Sequence, residues 1–446
     1  MAHATLLPGR TPVAISHHKT LRAILTVTVL VDYAYAATAS ADTLDSPTFS
    51  FHGFGTLGAV RSDQDRADVV SNVFLQPNGA GHTRRWHMGV DSKIGGQLDA
   101  RFSPELSAVL QVVSKHRYDN SWTPEVEWAN LKYQFTPAFS ARLGRTVAPM
   151  FMRSDTTNVS YANPWLRGPQ EIYGMVPITH LDGVDLAWSV GVGPVMNSFQ
   201  ANFGYNKFKA VDGLEITGKS AWIVSDTIEY ENLTLRVSYL AVDLSFDSAD
   251  LDSLLNGLSG VGDNLVTAGF PLEGDRAHAL ARRYYLDDTP LEIFSVGARF
   301  NPGDWLLMGE WARMTDAGVL PETDGWYVTS GYQFRKTMPY VTVAQINART
   351  PSESGIPLAG LPPGPLLDGA GALNAALGSA LGAAAPSQKS LTLGLRWDLF
   401  DTAALKFEYQ HIRLDDRSAG RFGNLQPGFR PGGDADVFSI ALDFVF

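Results

Sequence analysis

The chain has 446 residues, 45% hydrophobic, 18% charged and 11% aromatic, with no cysteine and a formal net charge of −11. The absence of cysteine excludes disulfide frameworks, thiolate metal sites and cysteine nucleophiles, and the acidic balance argues against a general nucleic-acid binder. Mean hydropathy is only −0.06 and no run approaches the roughly 18–20 uninterrupted apolar residues of a membrane helix, so the apolar side chains are spread thinly along the chain.

The N-terminus reads as a secretion signal. Arg10, Lys19 and Arg22 supply the positive region, Leu21 to Val31 the apolar segment, and Ala39-Ser40-Ala41 a small-x-small cleavage site, with Ala34-Tyr35-Ala36 a competing one. Its removal would leave the mature chain, from residue 42, more acidic still. From Phe49 to Arg61 the chain alternates with many glycines. Within it, Gly53-Phe-Gly-Thr-Leu-Gly58 matches the dinucleotide fingerprint GxGxxG, but polar residues and a loop follow where that motif needs a helix, so the stretch is read as a glycine-rich strand.

Period-2 alternation then recurs along the whole chain. In 85–102, Trp86, Met88, Val90, Ile94, Leu98, Ala100 and Phe102 oppose Arg85, Asp91, Lys93, Gln97, Asp99 and Arg101. Further strands are expected at 106–118, 125–135, 139–143, 184–192, 199–205 and 233–239, then at 291–300, 304–314, 325–335, 339–348, 390–400, 403–413 and 434–446; the phase of 339–348 is ambiguous. The count is about sixteen. Strands near ten residues suit a tilted bilayer crossing. Short turns such as Phe135-Thr-Pro-Ala138, Gly193-Pro194 and Asn301-Pro-Gly-Asp304 alternate with long loops, which is how transmembrane barrels are strung. Trp86, Trp305, Trp326, Tyr340 and Trp397 lie near strand ends, where interface girdles would put them. The fold class is therefore all-β, a transmembrane antiparallel barrel in a single domain over 42–446.

The last strand carries the most specific signal. Phe438, Ile440, Leu442, Phe444 and Phe446 form one apolar face and the chain stops on the aromatic. An apolar residue at every second position, ending in Phe, resembles the assembly signal of Gram-negative outer-membrane barrels. With the signal segment, the recurring hairpins and an interruption at 146–180 placed like the inward-folded third loop of trimeric diffusion porins, the chain resembles a Gram-negative porin over nearly all of 49–446. The resemblance implies a homotrimer in the cell outer membrane, inserted by the barrel assembly machinery among outer-membrane lipids and lipopolysaccharide. It also implies a water-filled channel for passive diffusion of small hydrophilic solutes and ions, with no cofactor.

Candidate pore residues follow from strand parity and from the 146–180 loop. Lumen-facing cations include Lys93, Arg101, Lys115, Lys132, Arg142, Arg236, Arg299, Arg396 and Lys406; Asp91, Asp99, Asp185, Asp398 and Glu408 are lumen-facing acids. Arg142 and Arg145 stand at the root of the loop, which itself carries Arg153, Asp155, Trp165, Arg167, Glu171 and Tyr173. Porin constriction loops are typically acid-rich; in this one Arg153 and Arg167 balance Asp155 and Glu171. A pore selects by size and by the field of such groups, although many lumen charges in any barrel are simply solvated pairs. The apolar loops 247–289 and 350–389 are either short helices or mobile segments on the rim, or else a plug, a protomer contact or a gate. There is no HExxH, GxSxG or P-loop, and the histidines do not fall at metal-ligand spacing, so neither catalysis nor metal binding is expected. The alternatives are a substrate-specific channel of eighteen strands and a surface adhesin or receptor barrel.

Overall fold

The computed structural model describes residues 46–349 and 353–446, so the secretion signal read at residues 1–41 lies outside the described residues. Sixteen antiparallel strands form one closed barrel. In chain order they are β1 (Thr48–Ser62), β2 (Lys93–Arg101), β3 (Leu106–Lys115), β4 (Glu125–Thr136), β5 (Phe139–Val147), β6 (His180–Val192), β7 (Val195–Lys209) and β8 (Glu215–Tyr230). The second half comprises β9 (Leu233–Asp247), β10 (Thr289–Phe300), β11 (Trp305–Met314), β12 (Thr323–Tyr332), β13 (Thr337–Ala348), β14 (Gln388–Phe400), β15 (Ala403–Leu414) and β16 (Asp434–Val445). Each strand pairs with its neighbours in sequence, and β1 closes the ring by pairing with both β2 (Thr48↔Arg101 to Thr56↔Lys93) and β16 (Phe54↔Val445 to Ser62↔Val437). Closure leaves no sheet edge, and with it every strand backbone finds a partner without water.

Alternation decides which side chains point out of the barrel. Outward positions carry Phe49, Phe51, Leu131, Leu143, Trp188, Phe203, Trp222, Val328, Leu393 and Trp397, all exposed. Phe438, Ile440, Leu442 and Phe444 share this outer face on β16. The ring of Phe446 lies over Gly53, and the two residues exchange backbone hydrogen bonds of 2.8 and 2.9 Å. Short turns join the strands at one end; at Gly193 (φ 59°) and Gly303 (φ 63°) they need the left-handed backbone that glycine adopts without strain.

Strand β8 is the one barrel strand without a counterpart among the patterned segments. Ser220, at φ 48°, sits in a bulge where pairing slips between Lys219 and Trp222, and an extra residue reverses the phase of alternation mid-strand. Tyr340, read as a girdle aromatic, instead points inward and is 5% exposed. Val90, read on the greasy face, is buried in a cluster formed by the first and eighth loops with Val60, Ile412, Leu414 and Val437. There Asp68–Val69, Ala80–Gly81 and Phe422–Gly423 make a small three-stranded sheet.

The two apolar loops are helical. Helices α1 (Ala249–Thr267) and α2 (Pro271–Tyr284) form a hairpin, and α3 (Pro365–Ala383) packs on α1. Ser248 caps α1 and Pro271 opens α2. Their shared core includes Leu255, Leu258, Leu265, Leu280, Tyr284, Leu377 and Leu381. The carboxylate of Glu353 ties the seventh loop to α2 by accepting from Arg276 and from the Tyr284 hydroxyl (3.0 Å). Burial, reinforced by Glu353, pushes Tyr284 up to about 12.

Because a side chain at Gly53 would overlap the Phe446 ring, Gly53→Val is expected to loosen the β1–β16 seam at a cost of about 1–3 kcal/mol. Gly191→Val, where only the Met196 methyl lies within 3.5 Å, should be tolerated. Urea unfolding in detergent, followed by tryptophan fluorescence, compares them; equal midpoints would show that the terminal ring does not hold the seam.

Candidate functional site

The loop between β5 and β6 (residues 148–179) leaves the rim and crosses the inside of the barrel. Its backbone has no sheet to bond to, so each turn must find partners on the wall. Near its start, Arg236 on β9 donates to the Pro149 carbonyl (2.9 Å), and Ser295 on β10 donates to that of Met150 (3.0 Å). The Met152 N–H donates to Glu310 on β11 at 2.8 Å. Glu310 also accepts from Tyr327 (2.7 Å) and from Tyr173 at the loop's far end (2.5 Å), so one buried carboxylate fastens both limbs. Burial, then the charge of Glu310, raises the Tyr173 hydroxyl well above its ordinary pKa.

The middle of the loop is held by two buried cations. Lys406, 0% exposed, donates to the carbonyls of Ser160 (2.7 Å), Asn163 (2.9 Å) and Trp165 (2.8 Å). Its charge is balanced by Asp443, 2.8 Å away and equally buried, which accepts from Thr56. Arg396, 1% exposed, donates to the carbonyls of Tyr161 (2.6 Å) and Asn163 (3.0 Å), lies over the Tyr161 ring and pairs with Asp398 (2.7 Å). Glu408 accepts from the Leu166 N–H (2.7 Å) and from Tyr340 (2.6 Å).

Of the loop residues read as pore candidates, most are turned into protein. Arg153 stitches the loop to itself through Asn163 (2.7 Å) and the Ala162 carbonyl. Trp165 is 2% exposed and forks its indole N–H between Thr329 (3.0 Å) and Thr342 (3.2 Å). Arg167 makes a two-pronged pair with Asp91 of the first loop (2.8 and 2.7 Å); burial works against its charge but Asp91 more than offsets it, so its pKa is raised. Glu171 is fully buried and accepts from Gln388 (2.8 Å). Asp155 alone among them is exposed, within electrostatic reach of Arg236.

On the opposite wall, Lys93 and Lys115 face each other across β2 and β3. They reach the loop tip at the Thr157 carbonyl (3.2 Å) and the Asn158 side chain (3.4 Å). Arg142 pairs with buried Asp185 at 3.0 Å. Arg145 shares the outward face with Leu143 and makes a two-pronged pair with Asp182 (2.7 Å to each oxygen). Arg101 and Arg299 lie at the turn end of the lumen, beside the Ser103 carbonyl (3.4 Å) and the Asn301 side-chain oxygen (2.8 and 2.9 Å). Sequence reasoning missed Glu310 and Tyr327 as clamps. A lone acid on the inward parity of β11, amid Met308, Ala312 and Met314, was the available signal.

The lumen wall is not polar throughout. Toward the loop end, the inward positions of β8 to β11 include Ile216, Ile223, Leu240, Val242, Leu244, Leu291, Ile293, Met308 and Met314; they are buried with Met150, Phe151, Trp165, Ile172 and Met175 of the crossing loop. The loop thus has a hydrophobic side, sealed to one wall, and a polar edge toward β2 to β6.

A closed sixteen-stranded barrel with an apolar outside and a loop clamped across its lumen defines a porin-like β-barrel fold. No family model and no curated protein matches the chain. Among solved structures, OmpF of Salmonella typhi, determined in complex with daunomycin, is 12% identical with a TM-score of 0.51, covering 91% of this chain and 100% of OmpF. The outer-membrane channel DcaP of Acinetobacter baumannii is 12% identical with a TM-score of 0.50, covering 92% and 100%. At such identity the likeness is one of fold.

Lys406→Met would leave Asp443 without its counter-ion and strip a buried donor from the Ser160, Asn163 and Trp165 carbonyls, and the expected loss is about 3–5 kcal/mol. Adding Asp443→Leu should recover part of it. Urea midpoints of the single and double variants in detergent provide the check; an unchanged Lys406→Met midpoint would mean the loop is anchored elsewhere.

Proposed function

We propose that the protein is an outer-membrane channel for passive diffusion of small hydrophilic solutes, with a preference for anions. Residues 1–41 would be removed on export. The 146–180 loop would be the constriction, and the barrel would work as a homotrimer embedded among outer-membrane lipids and lipopolysaccharide after insertion by the assembly machinery. The sixteen-strand closure removes the eighteen-stranded alternative.

The observation that carries the anion preference is the unequal burial of lumen charge. Most lumen acids are withdrawn into buried bonds: Asp91, Asp185, Asp443, Glu310 and Glu408 are each below 10% exposed, and Glu171 is at zero. Lys93, Lys115, Lys132, Arg142 and Arg236 stay partly exposed, facing only Asp99, Asp155 and Glu229 as partly or fully exposed lumen acids among the described residues. Permeating ions feel charges that water still reaches, so the field of the passage is positive despite the acidic chain. Arg396 and Lys406, buried against the loop, would act on selectivity only by positioning it.

Reversal potential across a salt gradient in planar bilayers tests this. Anion preference is expected, and replacing both Lys93 and Lys115 with Gln should move the permeability ratio toward cations by about threefold to tenfold, the effect of removing unit charges some 5 Å from an ion in water. Arg142→Ala, which also frees the Asp185 carboxylate, should shift it the same way. A cation-preferring wild type would sink the reading.

A further inference from the structure

Above the clamp, the first, third and eighth loops meet against β14 and β15 at one corner of the lumen, around a half-open notch. Its polar lining includes Arg421, Gln388 and Gln410, and its apolar lining includes Val69, Ile412 and Phe422. The neighbouring cations of this wall are all engaged: Arg167 by Asp91, Arg396 by Asp398 and Lys406 by Asp443. Arg421 differs. Among the described residues its guanidinium has no hydrogen-bond partner, its Nε is shut off from bulk water, and no carboxylate lies within ion-pair distance.

The side chain is nevertheless presented by a fixed backbone. The Arg421 N–H donates to the Gln388 carboxamide at 2.7 Å, and the next residues, Phe422 and Gly423, pair with Val69 and Asp68 in the small sheet. Gln388 is held in turn by its own donation to Glu171 (2.8 Å). Gln410 points inward beside them on β15 and has no side-chain hydrogen bond among the described residues. Burial lowers Arg421 to about 10, with Glu171 acting in the opposite direction, so it remains charged at neutral pH. A guanidinium whose Nε is cut off from both water and any acceptor costs free energy until something with acceptor oxygens reaches it.

We infer that this notch binds the carboxylate of a small organic anion, a capture site on the loop side of the constriction. The guanidinium fork of Arg421 matches a carboxylate edge-on, and the Gln410 amide adds a neutral donor. The notch itself takes only the carboxylate head; the hydrocarbon part stays in the lumen, beside the small edges that Val69, Ile412 and Phe422 leave uncovered. Glu171, buried behind Gln388 with its Oε2 unpartnered, sets the limit on charge: one free cation beside one acid suits a monoanion better than a phosphate carrying two charges. The inference rests on the channel reading for its role, but not for its chemistry.

Benzoate is the probe, with benzamide as its neutral counterpart. In planar bilayers, benzoate should interrupt the current of the wild-type channel and benzamide should not. Arg421→Gln should shorten the interruptions about tenfold to a hundredfold, the factor expected for losing a hydrogen bond to a charged group. Gln410→Leu, which leaves the anchoring of the eighth loop untouched, should shorten them by a smaller factor and guards against a variant that misfolds. Equal dwell times in wild type and both variants, or equal effects of benzamide, would overturn the site. Calorimetric titration of benzoate into the detergent-solubilised protein separates the two ideas. Arg421-dependent binding by a barrel that does not conduct would remove the channel and keep the site; steady conductance without benzoate binding would do the reverse.

Discussion

A loop that crosses the inside of a barrel takes more than thirty residues of backbone away from any sheet, and the structure depends on how that backbone is satisfied. Here the task falls to buried charges. Lys406 and Arg396 present their N–H groups to the carbonyls of Ser160, Tyr161, Asn163 and Trp165, while Glu310 and Glu408 accept the N–H groups of Met152 and Leu166. Each of these ions would be costly alone. Each is offset by a counter-ion or by a tyrosine hydroxyl from a nearby strand, Tyr327 for Glu310 and Tyr340 for Glu408. The loop is therefore held at both limbs and in the middle, and its path is fixed by the wall.

The apolar contacts add a second constraint. A barrel lumen filled only with water would have no reason to carry Ile223, Leu240, Ile293 and Met308 on its inward face. These side chains are buried because Met150, Phe151 and Trp165 cover them, and burial of that kind is worth roughly 1.5–3 kcal/mol for each large side chain. Polar clamps set the register of the loop, while the hydrophobic seal makes leaving the wall expensive. Phe246 and Leu320 touch both this seal and the core of the helical cap, so cap and loop are packed as neighbours.

How much of this could be read in the chain follows from which interactions are local. Strand alternation is a property of adjacent residues, and fifteen of the sixteen strands announce themselves by it. Strand β8 does not, because the bulge at Ser220 breaks the alternation that identifies a strand. The crossing loop was legible by position and length, but its partners were not: Arg396 and Lys406 look by parity like any lumen cation, and only the folded barrel brings them against carbonyls more than two hundred residues away. Tyr340 misled because aromatic residues near strand ends suit either face; its bond to Glu408 decided for the inside. Arg145 shares the parity of outward Leu143, so alternation alone already placed it outside the lumen; its position at the root of the loop misled.

The same comparison explains why net charge is a poor guide to a pore. The chain is acidic at −11, yet many of its lumen carboxylates are the groups that hold the loop in place. A carboxylate accepts several hydrogen bonds at once and suits the N–H groups of a crossing backbone, so clamping hides acids such as Glu310 and Glu408 from water. Lys93 and Lys115 on the uncovered wall touch the loop only at its tip and stay partly exposed. Where a loop is fastened by carboxylates, the field left for a permeating ion is the remainder after fastening. On the channel reading proposed above, Lys93 and Lys115, facing each other at the loop tip, weigh more in that remainder than the composition of the whole chain.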